Sequence, residues 1–205
     1  MKKVVVVDYG MGNIDSVVRA AKECDVNVIV TDNPFDFEGA GNIILPGVGA
    51  FGEGMRNIRK RGIDNTLKEY VLERRIPFLG ICLGMQLLAE TSFEEGEHEG
   101  LGWIKGEVRR LIPDNPHTRI PHMGWNEVNI IRKSRLFEGI PSGEDFYFVH
   151  GYHLVCADKD AALATTPYCG GFVSAVSLDN IFGVQFHPEK SQYFGIQLLN
   201  NFLAL

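Results

Sequence analysis

Four cysteines in 205 residues, at 24, 82, 156 and 169, form no C-x-x-C pair and no metal-finger spacing. A disulfide-stapled or zinc-stapled scaffold is therefore excluded, and reduced thiols in a cytoplasmic protein are expected. Long apolar runs are also missing: none approaches the about 20 residues of a membrane span. The opening Met1-Lys2-Lys3 followed by Val4–Val7 has too short an apolar stretch for a signal peptide, and no small-residue cleavage site follows. Basic charge is in short supply. Lys plus Arg number 20 against 26 Asp plus Glu, a net charge of −6, so no basic surface is available for a nucleic-acid backbone. Repeats, linkers and low-complexity segments are absent. One domain over residues 1–205 is expected.

What is present alternates. Lys3–Val7, Val26–Val30 and Asn42–Leu45 are short β-branched runs that read as buried strands. Between the first two, Ile14, Val17, Val18 and Ala21 fall at helical spacing, with Asn13 placed to cap. Helical patterns run from about Gly52 to Glu73 with a break near Gly62, then Pro77–Ile81 reads as a strand and Gly84–Thr91 as its helix. Such alternation predicts an α/β fold with a parallel sheet covered on both faces. Beyond residue 100 come short strands without long helices: Trp103–Leu111, Glu127–Ile131, Phe146–Val149, His153–Val155 and Ala162–Thr165. Phe172–Leu178 and Ile181–Phe186 flank Asp179-Asn180, a tight hairpin turn, and an amphipathic helix from Tyr193 to about Leu203 closes the chain. The sheet is expected to be parallel early and antiparallel late.

Two segments carry chemistry. Gly80-Ile81-Cys82-Leu83-Gly84 sets one cysteine between two glycines after a strand and before a helix, the layout of a nucleophile elbow. A thiol there sits at a helix N-terminus, which favours the thiolate. The second segment is His187-Pro188-Glu189. Pro188 fixes its own φ and pushes His187 into an extended conformation, so that Glu189 can reach one imidazole nitrogen and leave the other to Cys82. An isolated His-Pro-Glu would be an ordinary surface loop. Joined to a glycine-flanked cysteine, it points to nucleophilic acyl chemistry.

These motifs, extended to Gly80–Gln86 and Gln185–Glu189, resemble the two central motifs of the class I glutamine amidotransferases. The resemblance runs from residue 4 to 202. It is narrowed by Asp8–Asn13, Leu45–Phe51, Pro121–Asn126 and Glu189–Gln192 to the histidine-pathway branch of that class. It implies a three-layer α/β fold, a mixed and mostly parallel sheet with helices on both faces and an added antiparallel portion. It also implies no cofactor and no metal. By the same resemblance Cys82 attacks the side-chain amide of L-glutamine, His187 carries protons and Glu189 orients it. Gly47, Val48 and Leu83 belong to the oxyanion hole, and Gly49, Gln86, Gly151 and Tyr152 contact substrate. Ammonia is passed to a cyclase subunit with a (β/α)8-barrel in a heterodimer, and Asn13 and Met123–Trp125 are the expected partner-facing residues. Relatives often carry serine where Gly151 stands, so position 151 offers backbone but no hydroxyl. That departure leaves open a paralogue feeding a nucleotide-sugar or glycan pathway.

Several patterns are read as inert. Gly47–Gly52 spells G-x-G-x-x-G, but it follows the third strand, and the acid a dinucleotide site needs about 20 residues on falls in a helical stretch with no second strand. Cys24, Cys156 and Cys169 read as small buried apolar residues. His150 and His153 read as structural or partner contacts, and His98 and His117 as loop residues. The run Glu94–Glu99 reads as a solvated loop.

Overall fold

The computed structural model describes residues 1–205. In chain order it begins with β1 (Lys3–Val7), α1 (Ile14–Lys22), β2 (Asn27–Thr31), β3 (Asn42–Gly47) and α2 (Phe51–Lys60). Then follow α3 (Ile63–Leu67), which runs on as a π-helical turn over Lys68–Glu73, β4 (Phe78–Cys82), α4 (Leu83–Gln86), β5 (Thr91–Ser92), β6 (His98–Glu99) and β7 (Gly106–Arg110). The remainder is β8 (His122–Ile130), β9 (Glu144–His150), β10 (Tyr152–Cys156), β11 (Ala162–Thr166), β12 (Phe172–Leu178), β13 (Ile181–Val184) and α5 (Gln192–Leu203). Nine strands form one sheet in the order β2-β1-β3-β4-β13-β12-β11-β8-β9. Pairings from β2 to β13 are parallel and those beyond are antiparallel.

The apolar runs are buried on both sides, as a covered parallel sheet requires. Val4, Val6, Ile44, Leu79 and Ile81 enter one core with Val17 and Ala21 of α1 and Leu198, Leu199 and Phe202 of α5. Val5, Val7, Ile43, Leu45 and Phe78 enter the other with Phe51, Met55 and Ile58 of α2 and Ile63 and Leu67 of α3. The alternation along each strand therefore sorts side chains between two layers of helix. No helix is long and apolar enough to cross a membrane.

Five local readings need correction. The helix after the elbow is four residues long and does not reach Thr91. The carbonyls just past it are taken by the returning chain: Leu101 N–H donates to Leu87 O, Gly102 N–H to Ala89 O, and Trp103 and Ile104 N–H to Leu88 O, at 2.8–3.0 Å. For the same reason β7 starts at Gly106 and not at Trp103. The late strands do not all join one sheet, because β10, β7, β5 and β6 form a separate four-stranded sheet. It packs Val108 and Leu154 against the α2 and α3 side. Asn13 stands at the N-cap of α1 but its side chain makes no capping bond. The thiols of Cys24, Cys156 and Cys169 are free and only partly buried.

The break at Gly62 and the hairpin at Asp179-Asn180 form as read. Gly62 has φ +67° and starts α3, and the Asn180 amide donates to Val71 O and Ile76 O, both at 2.8 Å. Two glycines give a contrasting test. A Cβ on Gly62 would meet open space, so Gly62→Ala carries only the left-handed penalty of about 1–2 kcal/mol. A Cβ on Gly84 would collide with the Leu45 carbonyl, and Gly84→Ala is expected to cost about 3 kcal/mol. Urea midpoints measure both; equal losses would show that the approach of α4 to β3 is not a constraint.

Candidate active site

Parallel pairing builds the site. β4 lies between β3 and β13, with Gly47 opposite Cys82 and Val184 opposite Ile81. The C-terminal end of β4 and the residues just past β13 therefore emerge at the same sheet edge, where ligand sites of such sheets lie. At Cys82 the chain turns sharply, with φ +54° and ψ −109°, a conformation costly for a residue with a side chain. Neither Gly80 nor Gly84 has a positive φ; they supply room instead. A Cβ on Gly80 would come within 2.5 Å of the Gly84 carbonyl oxygen. Leu83 N–H opens α4 and so has no intrahelical partner. With only four residues, α4 contributes these N–H groups and little dipole, a correction to the helix-terminus reading.

His187 and Glu189 are placed by the turn after β13. His187 N–H donates to Tyr147 O at 2.8 Å, and Ser191 Oγ donates to His187 O at 2.6 Å, fixing the backbone. His187 Nδ1 lies 2.8 Å from Glu189 Oε1, with both side chains almost fully buried. Burial disfavours the imidazolium, but the Cys82 sulfur and the Glu189 carboxylate outweigh it and raise the ring to about 10. The other ring nitrogen, Nε2, has no hydrogen-bond partner. The Cys82 thiol instead faces Val149 O at 3.9 Å and receives the Gln185 amide at 3.7 Å.

A cavity of about 290 Å³ opens beside the sulfur. Val48, Gly49, Leu83, Gln86, Gly151 and Tyr152 line it with Cys82, as read from the sequence. Gly47 does not line it; that residue is buried with its Cα against the Tyr9 hydroxyl. Val48 N–H points away from the cavity and donates to Met11 O at 2.7 Å. The Gln86 amide nitrogen donates to Tyr152 O at 2.9 Å and to Gln185 Oε1 at 3.0 Å, leaving only its own oxygen for a ligand. A larger open groove of about 520 Å³ between Ile130 and Ile140 holds no nucleophile–base pair.

Sequence reading missed three groups. Glu94, assigned to a solvated loop, lines the cavity, and its Oε2 accepts Phe51 N–H at 2.6 Å at the uncapped start of α2. Burial raises its carboxyl. Its nearness in sequence to the elbow was the available signal. His150 joins His122, not His153. His150 Nδ1 donates to Tyr152 O at 2.8 Å, so its Nε2 accepts from His122 Nδ1 at 3.0 Å, and His122 Nε2 accepts from the Asn126 amide at 3.2 Å. The third is Tyr9, fully buried with an unpartnered hydroxyl. His98 packs over Gly52, and no three His, Cys, Asp or Glu side chains are placed to hold a metal ion.

A strained cysteine at the end of β4 and a buried histidine–glutamate pair just past the adjacent strand β13 are what an amidotransferase of the cysteine type needs. The chain belongs to the class-I glutamine amidotransferase family, whose model matches residues 5–205. The imidazole glycerol phosphate synthase subunit HisH of Moorella thermoacetica is 46% identical over 202 residues, 98% of this chain and 94% of that protein. The HisH of Aquifex aeolicus is 44% identical over 201 residues, 98% and 95%. Among solved structures, a glutamine amidotransferase superposes with a TM-score of 0.75 at 19% identity, covering 98% of this chain and 99% of that one. The structure of PurLQS from Thermotoga maritima gives 0.74 at 20% identity, covering 99% and 98%. These two speak to the fold, which is that of the class.

Opposite pKa shifts predict a stability maximum. Burial lowers His122 from 6.5 to about 4 and His150 to about 3. Below 6.5 the unfolded chain binds the extra protons, so their contribution is complete above that pH and is lost as pH falls through 4 and 3. His187, raised to about 10, contributes fully below 6.5 and loses its contribution as pH rises through 10. Thermal midpoints should therefore peak near pH 6.5, and His150→Asn should flatten the acid limb. A midpoint climbing steadily from pH 4 to 10 would contradict both shifts.

Proposed function

We propose that this chain is the glutaminase subunit of imidazole glycerol phosphate synthase, with residues 1–205 acting as one glutamine amidotransferase domain. The observation that carries the chemistry is the buried His187–Glu189 pair at 2.8 Å beside a nucleophile held at φ +54°. The pathway rests on the HisH relatives, 41–46% identical over 98% of the chain. Position 151 does not argue for the nucleotide-sugar or glycan paralogue. Its carbonyl accepts Leu111 N–H at 2.9 Å and a Cβ there would find space, so the site uses residue 151 through its backbone.

The Cys82 thiol proton passes to His187 Nε2, and the sulfur attacks the side-chain amide carbon of L-glutamine. The tetrahedral oxyanion is met by Leu83 N–H and by Val48 N–H, once the Gly47–Val48 peptide has turned toward the cavity. His187 returns the proton to the departing nitrogen, releasing ammonia and leaving a glutamyl thioester. Water, deprotonated by the same ring, hydrolyses it. Glu189 holds the imidazolium throughout. At the amino-acid end, the Glu94 carboxylate and the Gln86 oxygen receive the α-ammonium, and Gly49 and the Gly151–Tyr152 backbone frame the carboxylate.

Ammonia released into water is protonated and loses its nucleophilicity, so a sealed transfer to a (β/α)8-barrel cyclase fits the chemistry. Met123 and Trp125 are 65% and 47% exposed on β8, and Asn13 is exposed at the start of α1, as residues of a docking face must be. No helix suits a membrane span, and we place the enzyme in the cytoplasm.

Glutamine hydrolysis measured with and without the cyclase and its nucleotide ligand tests this reading. Cys82→Ala should abolish glutamine-dependent synthesis and leave synthesis from added ammonia unchanged; loss of both contradicts the mechanism. His187→Ala should reduce kcat more than Glu189→Gln, because proton transfer outweighs orientation. Glu94→Gln removes a charged contact to the α-ammonium, and should raise KM for glutamine roughly 10–100-fold. An unchanged KM would reduce Glu94 to the cap of α2.

A further inference from the structure

Tyr9 is fully buried, yet its hydroxyl has no hydrogen-bond partner. A buried polar atom without a partner in the protein asks for an explanation. Its position is specific. The oxygen occupies the space that a side chain on Gly47 would need, so it lies directly against the backbone of the residue before Val48. Burial above all, with the Cys82 charge adding to it, keeps the phenol protonated and therefore a donor.

The neighbouring segment Tyr9–Gly12 packs along β3 and its exit. A Cβ on Gly12 would touch Pro46, and one on Gly49 would meet Met11. Met11 O accepts the Val48 N–H at 2.7 Å, which holds that donor away from the cavity. For Val48 to serve the oxyanion, the peptide unit must rotate. Because that unit is rigid, the Gly47 carbonyl swings the opposite way as the N–H turns in. Gly49, at φ +102°, gives the following residue the freedom to absorb the rotation. The carbonyl then faces the Tyr9–Met11 segment. Met11 O cannot receive it, since two acceptors repel.

We propose that the Tyr9 hydroxyl is the donor that captures the Gly47 carbonyl in the turned orientation, making Tyr9 a positioning residue for the oxyanion hole. This rests on the reading of Val48 N–H as an oxyanion donor. The unpaired hydroxyl disfavours the resting orientation and the new bond favours the turned one, so a single oxygen biases the equilibrium from both ends.

Tyr9→Phe removes that oxygen alone. In the complex with the cyclase and its nucleotide ligand, the variant should lose about tenfold in kcat for glutamine hydrolysis, below the roughly 10²–10³ cost of deleting an oxyanion donor itself. KM for glutamine should stay within about twofold, as uniform binding is untouched. The thermal midpoint should be unchanged or higher, since an unsatisfied group has gone. The rate of Cys82 alkylation by iodoacetamide should also be unchanged. A kcat equal to the wild type overturns the proposal. So does a fall in kcat accompanied by a lower midpoint, which would make the hydroxyl structural, or by altered alkylation, which would make the sulfur its target. If the wild-type complex itself hydrolyses no glutamine, the proposed function fails instead, and the two failures are distinct.

Discussion

The close approach of α4 to β3 is the constraint on which the site depends. Gly84 rests against the Leu45 carbonyl, and Gly80 against the carbonyl of Gly84, with no space for a Cβ at either position. That packing folds the chain back immediately after β4 and leaves Cys82 alone to absorb the turn at φ +54°. The surrounding sheet over-determines the strain, since β4 is paired on both sides along its length. With the elbow held, the thiol projects beyond the sheet edge. The parallel neighbour β13 then needs only a short turn to deliver His187 and Glu189 to the same place.

From this edge polar contacts extend inward without a break. Gln185 donates to the sulfur, Gln86 donates to Gln185 and to Tyr152 O, and His150 donates to that same carbonyl. His122 and Asn126 complete the series on β8. The Tyr152 carbonyl fixes the proton on His150 Nδ1, and that in turn fixes the tautomer of His122. Neutral imidazoles suit this arrangement, and burial supplies them by lowering both rings. His187, of the same residue type, is driven the other way by a carboxylate and a sulfur. Environment alone separates His187 from the two lowered rings.

The parallel half of the fold was legible because each β-branched run of β1 to β4 is buried on both faces, and the pattern records that burial. The Cys82 elbow and the His187–Glu189 pair were legible because two flanking glycines leave room for a sharp turn and Pro188 fixes its own φ. What escaped reading depends on distant partners. The length of α4 is set by N–H groups from residues 101–104, which no periodicity in 83–91 reports. β5 and β6 have two residues each, too few for any alternation. Glu94 sits in an acidic run whose composition signals solvent, and only the fold turns that one carboxylate inward to α2. The orientation of the Gly47–Val48 peptide, and the hydroxyl behind it, are properties of backbone rotation that residue identity does not record.

β8 and β9 pair along the margin of the large sheet, with Met123 opposite Val149. Val149 contributes the carbonyl that the thiol faces. An exposed methionine and the residue that the Cys82 thiol faces are consequently rungs of one ladder. Whatever seats itself on the outside of that margin takes hold of the sulfur's immediate surroundings, with no hinge or intervening loop to dissipate the pull.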